Sequence, residues 1–144
     1  MADERKISYD EVKVLIVEDE EHTRAMIRGM LRQIGIFKVM EASDGKAGLT
    51  EIARTRPTLV LCDIHMQPVD GRQFLRMVRA TKVDWVRNIP VIFLTADAKP
   101  ETVKVAKELN VDGYLVKPVT VADLKVRIAA VLKNTDHSAK AQGL

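Results

Sequence analysis

Four consecutive acidic residues, Glu18 to Glu21, come directly after an aliphatic stretch. Three of them have a local explanation, because Asp19 suits a helix N-cap and the next two suit the positive end of a helix dipole. Glu18 has no such explanation, since a carboxylate at the end of a buried strand must be solvated or neutralised. The pattern therefore predicts a positively charged group beside Glu18.

Three further residues that could do chemistry stand at the ends of later aliphatic stretches: Asp63, Thr95 and Lys117. Clustered carboxylates repel one another unless a hard cation joins them, and Mg²⁺ takes carboxylate oxygens while leaving positions for water and phosphate. An aspartate carboxylate such as Asp63 can attack phosphorus, and a lysine and a hydroxyl can bind phosphoryl oxygens. If these residues converge, the expected chemistry is phosphoryl transfer.

The elements that would position these residues alternate along the chain. Five short, continuously apolar stretches are typical of buried strands: Val12 to Val17, Lys38 to Ala42, Thr58 to Cys62, Pro90 to Leu94 and Tyr114 to Val116. Five other stretches have apolar residues at helical spacing: Met26 to Ile34, Ala47 to Ala53, Phe74 to Val78, Val103 to Leu109 and Val121 to Leu132. This alternation predicts an α/β fold with a doubly wound, mostly parallel sheet and functional residues at the carboxyl ends of its strands.

Signals at the predicted helix ends agree with this alternation. They are Gly35 after the first helix, Ser43 to Gly45 before the second, Pro100 at the start of the fourth, and Thr120 with Asp123 at the start of the fifth. Met26 and Met30, four residues apart in the first helix, are predicted to be core residues. Trp85 is predicted to be a packing residue outside the main core.

The whole chain has the size and composition of one domain, with 144 residues, 47% hydrophobic and 30% charged. We expect the domain at residues 12–133, with polar arms at 1–11 and 134–144. No apolar run is long enough for a membrane span or resembles a signal peptide, which predicts a cytoplasmic protein. The single cysteine, Cys62, excludes an internal disulfide and a cysteine-based metal cluster. The net charge of +3, with interleaved signs, gives no indication of nucleic-acid binding.

Four segments, VLIVEDE, LVLCDIHMQPVDG, VIFLTA and GYLVKP, in this order and spacing resemble the receiver domain of bacterial two-component response regulators. The resemblance is strongest to the stand-alone type typified by the chemotaxis regulator, and it covers about Val12 to Lys133. It implies a flavodoxin-like, five-stranded sheet of strand order 2-1-3-4-5 with five helices. It also implies a stoichiometric phosphoacceptor that assists its own phosphorylation and dephosphorylation, rather than a turnover enzyme.

The same resemblance implies which residues receive the phosphoryl group and hold the metal. Asp63 matches the aspartate that accepts a phosphoryl group from a histidine kinase or a histidine phosphotransfer protein. Glu18 and Asp19 match two acids that hold Mg²⁺ together with this aspartate, and Mn²⁺ is an alternative occupant. The backbone carbonyl of His65 matches the remaining protein ligand.

Other positions match residues that contact the phosphoryl group or influence its lifetime. Thr95 and Lys117 match its contacts, and Tyr114 matches an aromatic residue that changes rotamer on activation. His65 and Asp97 match variable positions whose side chains influence hydrolysis of the phosphoryl group. We therefore expect these two residues to set its lifetime.

Other classes of phosphate-handling protein fit the sequence less well. A flavin-binding protein of similar topology needs a loop rich in Ser, Thr and Gly after the first strand, whereas this loop is acidic. A haloacid-dehalogenase-like phosphatase has a D-x-D pattern, and the segment DIH lacks the second acid. The receiver resemblance has two departures, glutamate at position 18 where many members have aspartate, and the loop proline at 68 instead of 67. Neither departure removes a required group.

The output is expected to be a protein contact, because about eleven residues follow Lys133 and no effector domain is expected there. The expected output face comprises the fourth helix, the fifth strand and the fifth helix, with basic residues at Lys99, Lys104, Lys107, Lys125 and Arg127. We expect no nucleic-acid or membrane partner, and a monomer or weak dimer. Three alternatives stay open: a phosphorelay intermediate, a phosphate sink, and a receiver-fold binding module that phosphorylation does not regulate.

Overall fold

The structure, a computed structural model, describes residues 8–96 and 99–141, with side chains described through residue 134. Strands and helices alternate along these ranges. The elements are β1 (Lys13–Val17), α1 (Glu21–Ile34), β2 (Lys38–Ala42), α2 (Gly45–Thr55), β3 (Leu59–Asp63), α3 (Gly71–Ala80), α4 (Asp84–Arg87), β4 (Val91–Thr95), α5 (Pro100–Glu108), β5 (Gly113–Val116) and α6 (Val121–Ala141).

The five strands form one parallel sheet in the order β2-β1-β3-β4-β5, which confirms the predicted fold class and strand order. β3 pairs with β4, where Asp63 lies opposite Leu94. β4 pairs in turn with β5, where Thr95 lies opposite Val116. Since all five strands run in the same direction, their carboxyl ends meet at one edge of the sheet.

Both faces of the sheet are covered, which explains why the strands read as continuous apolar runs. In β1, Val14 and Ile16 contribute to a first core cluster with α1 and α6. Leu15 and Val17 contribute to a second core cluster with α2, α3 and α5. All four side chains are at most 1% exposed, and burying a side chain of this size stabilises a fold by about 1.5–3 kcal/mol. The sheet is therefore a firm support for whatever lies at its carboxyl edge.

Most of the predicted helix-end signals are confirmed. Gly35 is the C-cap of α1 with φ of 110°, a left-handed conformation that glycine adopts without strain. Asp44 caps α2 by accepting a backbone N–H at 2.9 Å. Pro100 begins α5, and the Thr120 hydroxyl accepts the backbone N–H of Asp123 at 3.0 Å at the start of α6.

The predicted N-cap of the first helix is wrong. α1 begins at Glu21, and Glu20 at the N-cap position makes no side-chain cap bond. The Glu18 carboxylate accepts the Glu20 N–H at 3.1 Å instead, so the turn between β1 and α1 is one residue longer than predicted. Asp19 consequently lies in this turn and is exposed.

Two other features of the helices differ from prediction. The short helix α4 was not expected, because four residues are too few to show a period, and the fourth and fifth predicted helices are therefore α5 and α6. Met26 is 50% exposed, since Ile27 and Leu31 occupy the core-facing side of α1. Met30 is partly buried against the first core cluster, and Trp85 packs against the second, both as predicted.

The structure extends into both segments that the sequence predicts to be polar arms, residues 1–11 and 134–144. α6 continues to Ala141, past the apolar stretch that ends at Leu132. A helix once formed gains a hydrogen bond for each residue added, so it can extend into a polar segment. Tyr9 packs against the first core cluster, whereas residues 1–7 lie outside the described part of the chain. The division into one domain and two arms stays a prediction.

Among the helices of the described residues, none combines the length and the apolar character that a membrane span requires.

Candidate functional site

Three carboxylates converge at the carboxyl edge of the sheet. Glu18 follows β1, Asp19 comes next in the turn, and Asp63 is the last residue of the neighbouring strand β3. One oxygen from each carboxylate lies within 4.8 Å of the other two. Glu18 and Asp63 are 2% and 6% exposed, whereas Asp19 is exposed to solvent. The predicted acidic cluster is therefore present, and Asp19 is its solvent-facing member.

The positive group predicted beside Glu18 is Lys117, which follows β5. Its ammonium donates to Glu18 Oε1 at 3.2 Å and to Asp63 Oδ1 at 3.4 Å. Its backbone N–H donates to the carbonyl of Thr95 at 2.7 Å, which attaches this residue to the edge of the sheet. The ammonium of Lys117 thus offsets part of the charge of three carboxylates.

Burial and charge have opposing effects on the pKa values of the site. Burial raises the pKa of Glu18, the hydrogen bond from the Glu20 N–H lowers it, and the Asp63 charge raises it further. Burial also raises the pKa of Asp63, and the Lys117 charge opposes that effect without cancelling it. Burial lowers the pKa of the Lys117 ammonium, but the two carboxylates outweigh burial, so the net pKa is raised. The cluster is short of positive charge, which favours the binding of a further cation.

The donor atoms at this edge fit the metal that the resemblance implies. Mg²⁺ and Mn²⁺ bind oxygen ligands, and Mg²⁺ usually takes one or two carboxylates together with water and phosphate oxygens. Glu18, Asp19 and Asp63 offer carboxylate oxygens at the carboxyl ends of two neighbouring strands. The side chain of His65 is exposed two residues after Asp63, and the role of its backbone carbonyl as a ligand stays a prediction.

Thr95 and Tyr114 lie on the sheet next to the acidic cluster. Thr95 is the last residue of β4 and is completely buried, and it comes one position after Leu94, the partner of Asp63 on β3. Tyr114 lies on β5 and is partly buried against the second core cluster. Strand register therefore places Thr95 at the site and Tyr114 further from the edge. Asp97, predicted to influence hydrolysis, lies outside the described residues.

Two residues that support the site were not predicted. Gly71, the first residue of α3, packs against the backbone of Asp63, because a Cβ at this position would lie 2.5 Å from the Asp63 carbonyl oxygen. The pair Asp70 and Gly71 is the sequence signal for this contact, since Asp70 caps α3. Arg24 in α1 donates to the carbonyl of Glu18 at 2.7 Å, and no local motif marks this residue.

The sequence matches the response regulator receiver domain family over residues 14–129. Chemotaxis protein CheY-3 of Vibrio cholerae serotype O1 is 32% identical over 122 residues, which cover 85% of this chain and 92% of that protein. Chemotaxis protein CheY of Pseudomonas aeruginosa is 32% identical over 125 residues, which cover 87% of this chain and 99% of that protein.

A solved structure with the same fold is the receiver domain of the sensor histidine kinase PA1611 from Pseudomonas aeruginosa PAO1. Its TM-score is 0.73 at 28% sequence identity, and the match covers 83% of this chain and 97% of that one. That structure has a magnesium ion coordinated in its active site cleft.

Proposed function

Because the chain belongs to the response regulator receiver domain family and resembles CheY-type chemotaxis proteins, we propose that it accepts a phosphoryl group on Asp63. The proposed donor is a histidine kinase or a histidine phosphotransfer protein. The observation that carries this proposal is the position of the Lys117 ammonium between the carboxylates of Glu18 and Asp63. An ammonium so close to the attacking group is placed to bind a phosphoryl oxygen as that group arrives.

The proposed transfer forms one bond and breaks one. A carboxylate oxygen of Asp63 bonds to phosphorus while the bond from phosphorus to the imidazole nitrogen of the donor breaks, and the imidazole leaves with that electron pair. The Lys117 ammonium orients the carboxylate through Oδ1, at 3.4 Å, so that the other oxygen attacks. The donor approaches from the side of Asp19, the exposed member of the cluster.

In this proposal Glu18, Asp19, Asp63 and the backbone carbonyl of His65 hold Mg²⁺ or, as an alternative, Mn²⁺. The ion supplies positive charge to the phosphoryl oxygens when it is bound. The cluster of three carboxylates supports the assignment, since the Lys117 ammonium, which pairs with Glu18 and Asp63, offsets only part of its charge.

A buried hydroxyl and a tyrosine ring provide a route from the phosphoryl group to the surface. Thr95 is buried at the end of β4, so its hydroxyl donates to the phosphoryl group from the core side of the site. Movement of Thr95 changes the space open to the ring of Tyr114 on the adjacent strand β5. The output face formed by α5, β5 and α6 then changes, and this face presents Val116 and Val126, which are 45% and 68% exposed.

The charge of the output face suits a protein partner with acidic side chains. Its exposed basic residues are Lys99, Lys104, Lys107, Lys125 and Arg127. Three acids partly balance them: Glu101, Glu108 and Asp123. The proposed target is therefore a protein that docks its acidic residues on this face when Asp63 is phosphorylated.

His65 and Asp97 are the residues proposed to set the lifetime of the aspartyl phosphate. The exposed side chain of His65, two residues after Asp63, can contact the water that hydrolyses the phosphoryl group. Asp97 follows Thr95 by two residues in the sequence. Substituting each by alanine and measuring the decay of the phosphorylated chain tests both roles, and decay rates equal to the wild-type rate would contradict them.

Intact-mass spectrometry with acetyl phosphate and Mg²⁺ tests the phosphoacceptor. Wild type is expected to gain one phosphoryl group and Asp63→Asn none, because an amide oxygen is a far poorer nucleophile than a carboxylate. Asp84→Asn makes the same change at an exposed carboxylate on α4 and should be labelled like wild type. Equal labelling of Asp63→Asn would contradict the assignment.

The same labelled chain distinguishes the other possible roles of a receiver. Rapid transfer of the phosphoryl group to a histidine phosphotransfer protein would identify a phosphorelay intermediate. Transfer of the phosphoryl group back to the kinase, followed by hydrolysis, would identify a phosphate sink. A chain that acquires no label and does not respond to beryllofluoride with Mg²⁺ would be a binding module that phosphorylation does not regulate.

Amide NMR spectra with beryllofluoride and Mg²⁺ test the route through Thr95. Thr95→Ala should still accept phosphate on Asp63 but show smaller shifts than wild type along residues 102–119, because the hydroxyl that contacts the phosphoryl group is absent. Full wild-type shifts in Thr95→Ala would exclude this route.

A further inference from the structure

Arg24 connects the acidic turn to the first helix and to the edge of the sheet. Its side chain is 16% exposed. Nη1 donates to the carbonyl of Glu18 at 2.7 Å, and Nε donates to the carboxylate of Glu41 on β2 at 2.9 Å. Its backbone N–H donates to the carbonyl of Glu20 at 3.0 Å. Arg24 therefore contacts both ends of the turn from Glu18 to Glu20 and links this turn to β2.

The carbonyl of Glu18 needs a donor from outside the regular structure. The N–H of Glu18 still donates to the carbonyl of Ala42 on β2, at 3.0 Å. β1 ends at Val17 and α1 begins at Glu21. The carbonyl of Glu18 therefore lies outside the regular backbone hydrogen bonding of both the strand and the helix. The Arg24 guanidinium supplies that donor.

Glu41 holds the Arg24 guanidinium in place. Its side chain is 28% exposed, and its second carboxylate oxygen pairs with Arg28, one turn further along α1. A planar guanidinium can donate to a carboxylate and a carbonyl in one fixed geometry, whereas an ammonium is a mobile point charge. The arrangement is therefore specific to arginine at position 24.

We propose that Arg24, anchored by Glu41, is a positioning residue for the metal-binding acids. This inference rests on the proposed function, since it concerns the carboxylates that would hold Mg²⁺. Asp19 lies between Glu18 and Glu20 in the turn that Arg24 holds, so that contact sets the place of the Asp19 carboxylate relative to Asp63. Mg²⁺ requires near-octahedral geometry at about 2.0–2.1 Å, and a small displacement of one carboxylate therefore weakens its binding.

Substitution of Arg24 would affect Mg²⁺ affinity in two opposite ways, through the loss of its charge and through the loss of its contact to Glu18. Arg24 is a positive charge near three carboxylates, so loss of its charge alone would strengthen the binding of a cation. Loss of the contact to Glu18 would displace the turn and weaken binding. A lower affinity in a neutral variant therefore reports on geometry.

Isothermal titration of Mg²⁺ into the full chain tests this role without any phosphoryl transfer. Arg24→Gln is expected to raise the Kd for Mg²⁺ about tenfold, the size of effect typical of residues that orient metal ligands. Arg28→Gln is the matched control, because Arg28 is 45% exposed, pairs with the same Glu41 and is one turn further from the acidic turn. Its Kd should stay close to that of wild type. Arg24→Lys keeps the charge but not the fixed guanidinium geometry, so it should bind Mg²⁺ no more tightly than Arg24→Gln.

Circular dichroism at the titration temperature establishes that each variant is folded. If Arg24→Gln is unfolded, Arg24→Lys must bind Mg²⁺ more weakly than Arg28→Lys, and equal values would overturn the inference. In folded Arg24→Gln, Mg²⁺ binding as tight as in wild type or tighter would overturn it, as would an equal loss in Arg28→Gln. Wild type that does not bind Mg²⁺ would overturn the proposed metal site itself.

Discussion

The carboxyl edge and the amino edge of the sheet both carry ion pairs, and the two edges differ in charge balance. At the carboxyl edge, Glu18, Asp19 and Asp63 form a cluster of carboxylates, and the ammonium of Lys117 pairs with Glu18 and Asp63. At the amino edge, the carboxylate of Asp112, just before β5, pairs with Arg79 from α3 at 3.0 Å. Negative charge is in excess at the first edge, whereas the pair at the second edge is balanced.

The amino-edge pair is surrounded by matching donors and acceptors. The Arg79 guanidinium also donates to three backbone carbonyls, those of Arg87 and Ile89 at 2.8 Å each and of Asn110 at 3.0 Å. The Asp112 carboxylate also accepts the N–H of Val91 at 2.8 Å. A rigid guanidinium suits this fixed arrangement, whereas a lysine ammonium can move toward a new anion. Charged groups thus stabilise the fold where their partners match, and can bind a ligand where they do not.

The largest expected effect is at the balanced edge. Arg79→Met leaves the Asp112 carboxylate and three carbonyls without their shared donor, and it should lower the free energy of unfolding by about 3 kcal/mol. Urea denaturation measures this loss, and phosphorylation of the folded chain should be unchanged. Arg76→Met, on the exposed side of α3, is the control and should cost less than about 0.5 kcal/mol. A loss no larger than that of the control would mean that the pair is not structural.

Lys117→Met should have its main effect on reactivity. Without the ammonium, the rate of labelling by acetyl phosphate is expected to fall roughly 100-fold, or about 2.7 kcal/mol in activation free energy. Intact-mass spectra taken over time at fixed Mg²⁺ measure the rate. Lys125→Met, at an exposed position on α6, should react like wild type. A wild-type rate in Lys117→Met would mean that the ammonium does not take part in the transfer.

Asp63→Asn should stabilise the fold while abolishing phosphorylation. Burial raises the folded-state pKa of Asp63, so the protonated form is favoured in the fold, and that stability is lost as the pH rises through the raised pKa. At neutral pH the carboxylate therefore costs stability, and its removal should raise the free energy of unfolding by on the order of 1 kcal/mol. Thermal unfolding measures the gain, which should shrink in mildly acidic buffer. A lower Tm for Asp63→Asn at neutral pH would contradict the excess of negative charge at this edge.

The fold could be predicted from the sequence because burial on both faces makes each strand a short, continuous apolar run. Glu18, Asp63 and Lys117 were found as candidate site residues for the same reason, since each interrupts or follows such a run at the edge where parallel strands end. The structure brings these three together, as expected. The extension of α6 was missed because backbone hydrogen bonding continues it beyond its last apolar residue.

Contacts between residues that are distant in the sequence could not be predicted in the same way. The bond from Arg24 to Glu41 joins residues 17 positions apart, and neither residue belongs to a local motif. The N-cap of α1 was misplaced by one residue because the start of the helix depends on the geometry of the turn, in which the Glu18 carboxylate accepts the Glu20 N–H. Asp19 was predicted both as the helix cap and as a metal-holding acid; it is not the cap, and it is the exposed member of the acidic cluster.

The smallest expected effect is the gain in stability when Mg²⁺ binds at the carboxyl edge, and this gain should depend on pH. Mg²⁺ that binds only the folded chain raises its stability by about 0.4 kcal/mol when its concentration equals its Kd. Burial raises the pKa values of Glu18 and Asp63, so protons compete with the metal at higher pH than at ordinary carboxylates. The gain from Mg²⁺ should therefore be complete at neutral pH and decline as the pH falls through these raised values.

Calorimetric Tm values with MgCl₂, against NaCl of equal ionic strength, measure this gain at each pH. Arg79→Met should retain the full gain, because it alters only the amino edge, whereas Glu18→Gln should lose most of it. An equal gain with NaCl would show that screening of the excess charge is responsible. A gain independent of pH would exclude the carboxylates of Glu18 and Asp63 as the groups that bind the ion, because protonation of either would have to displace it.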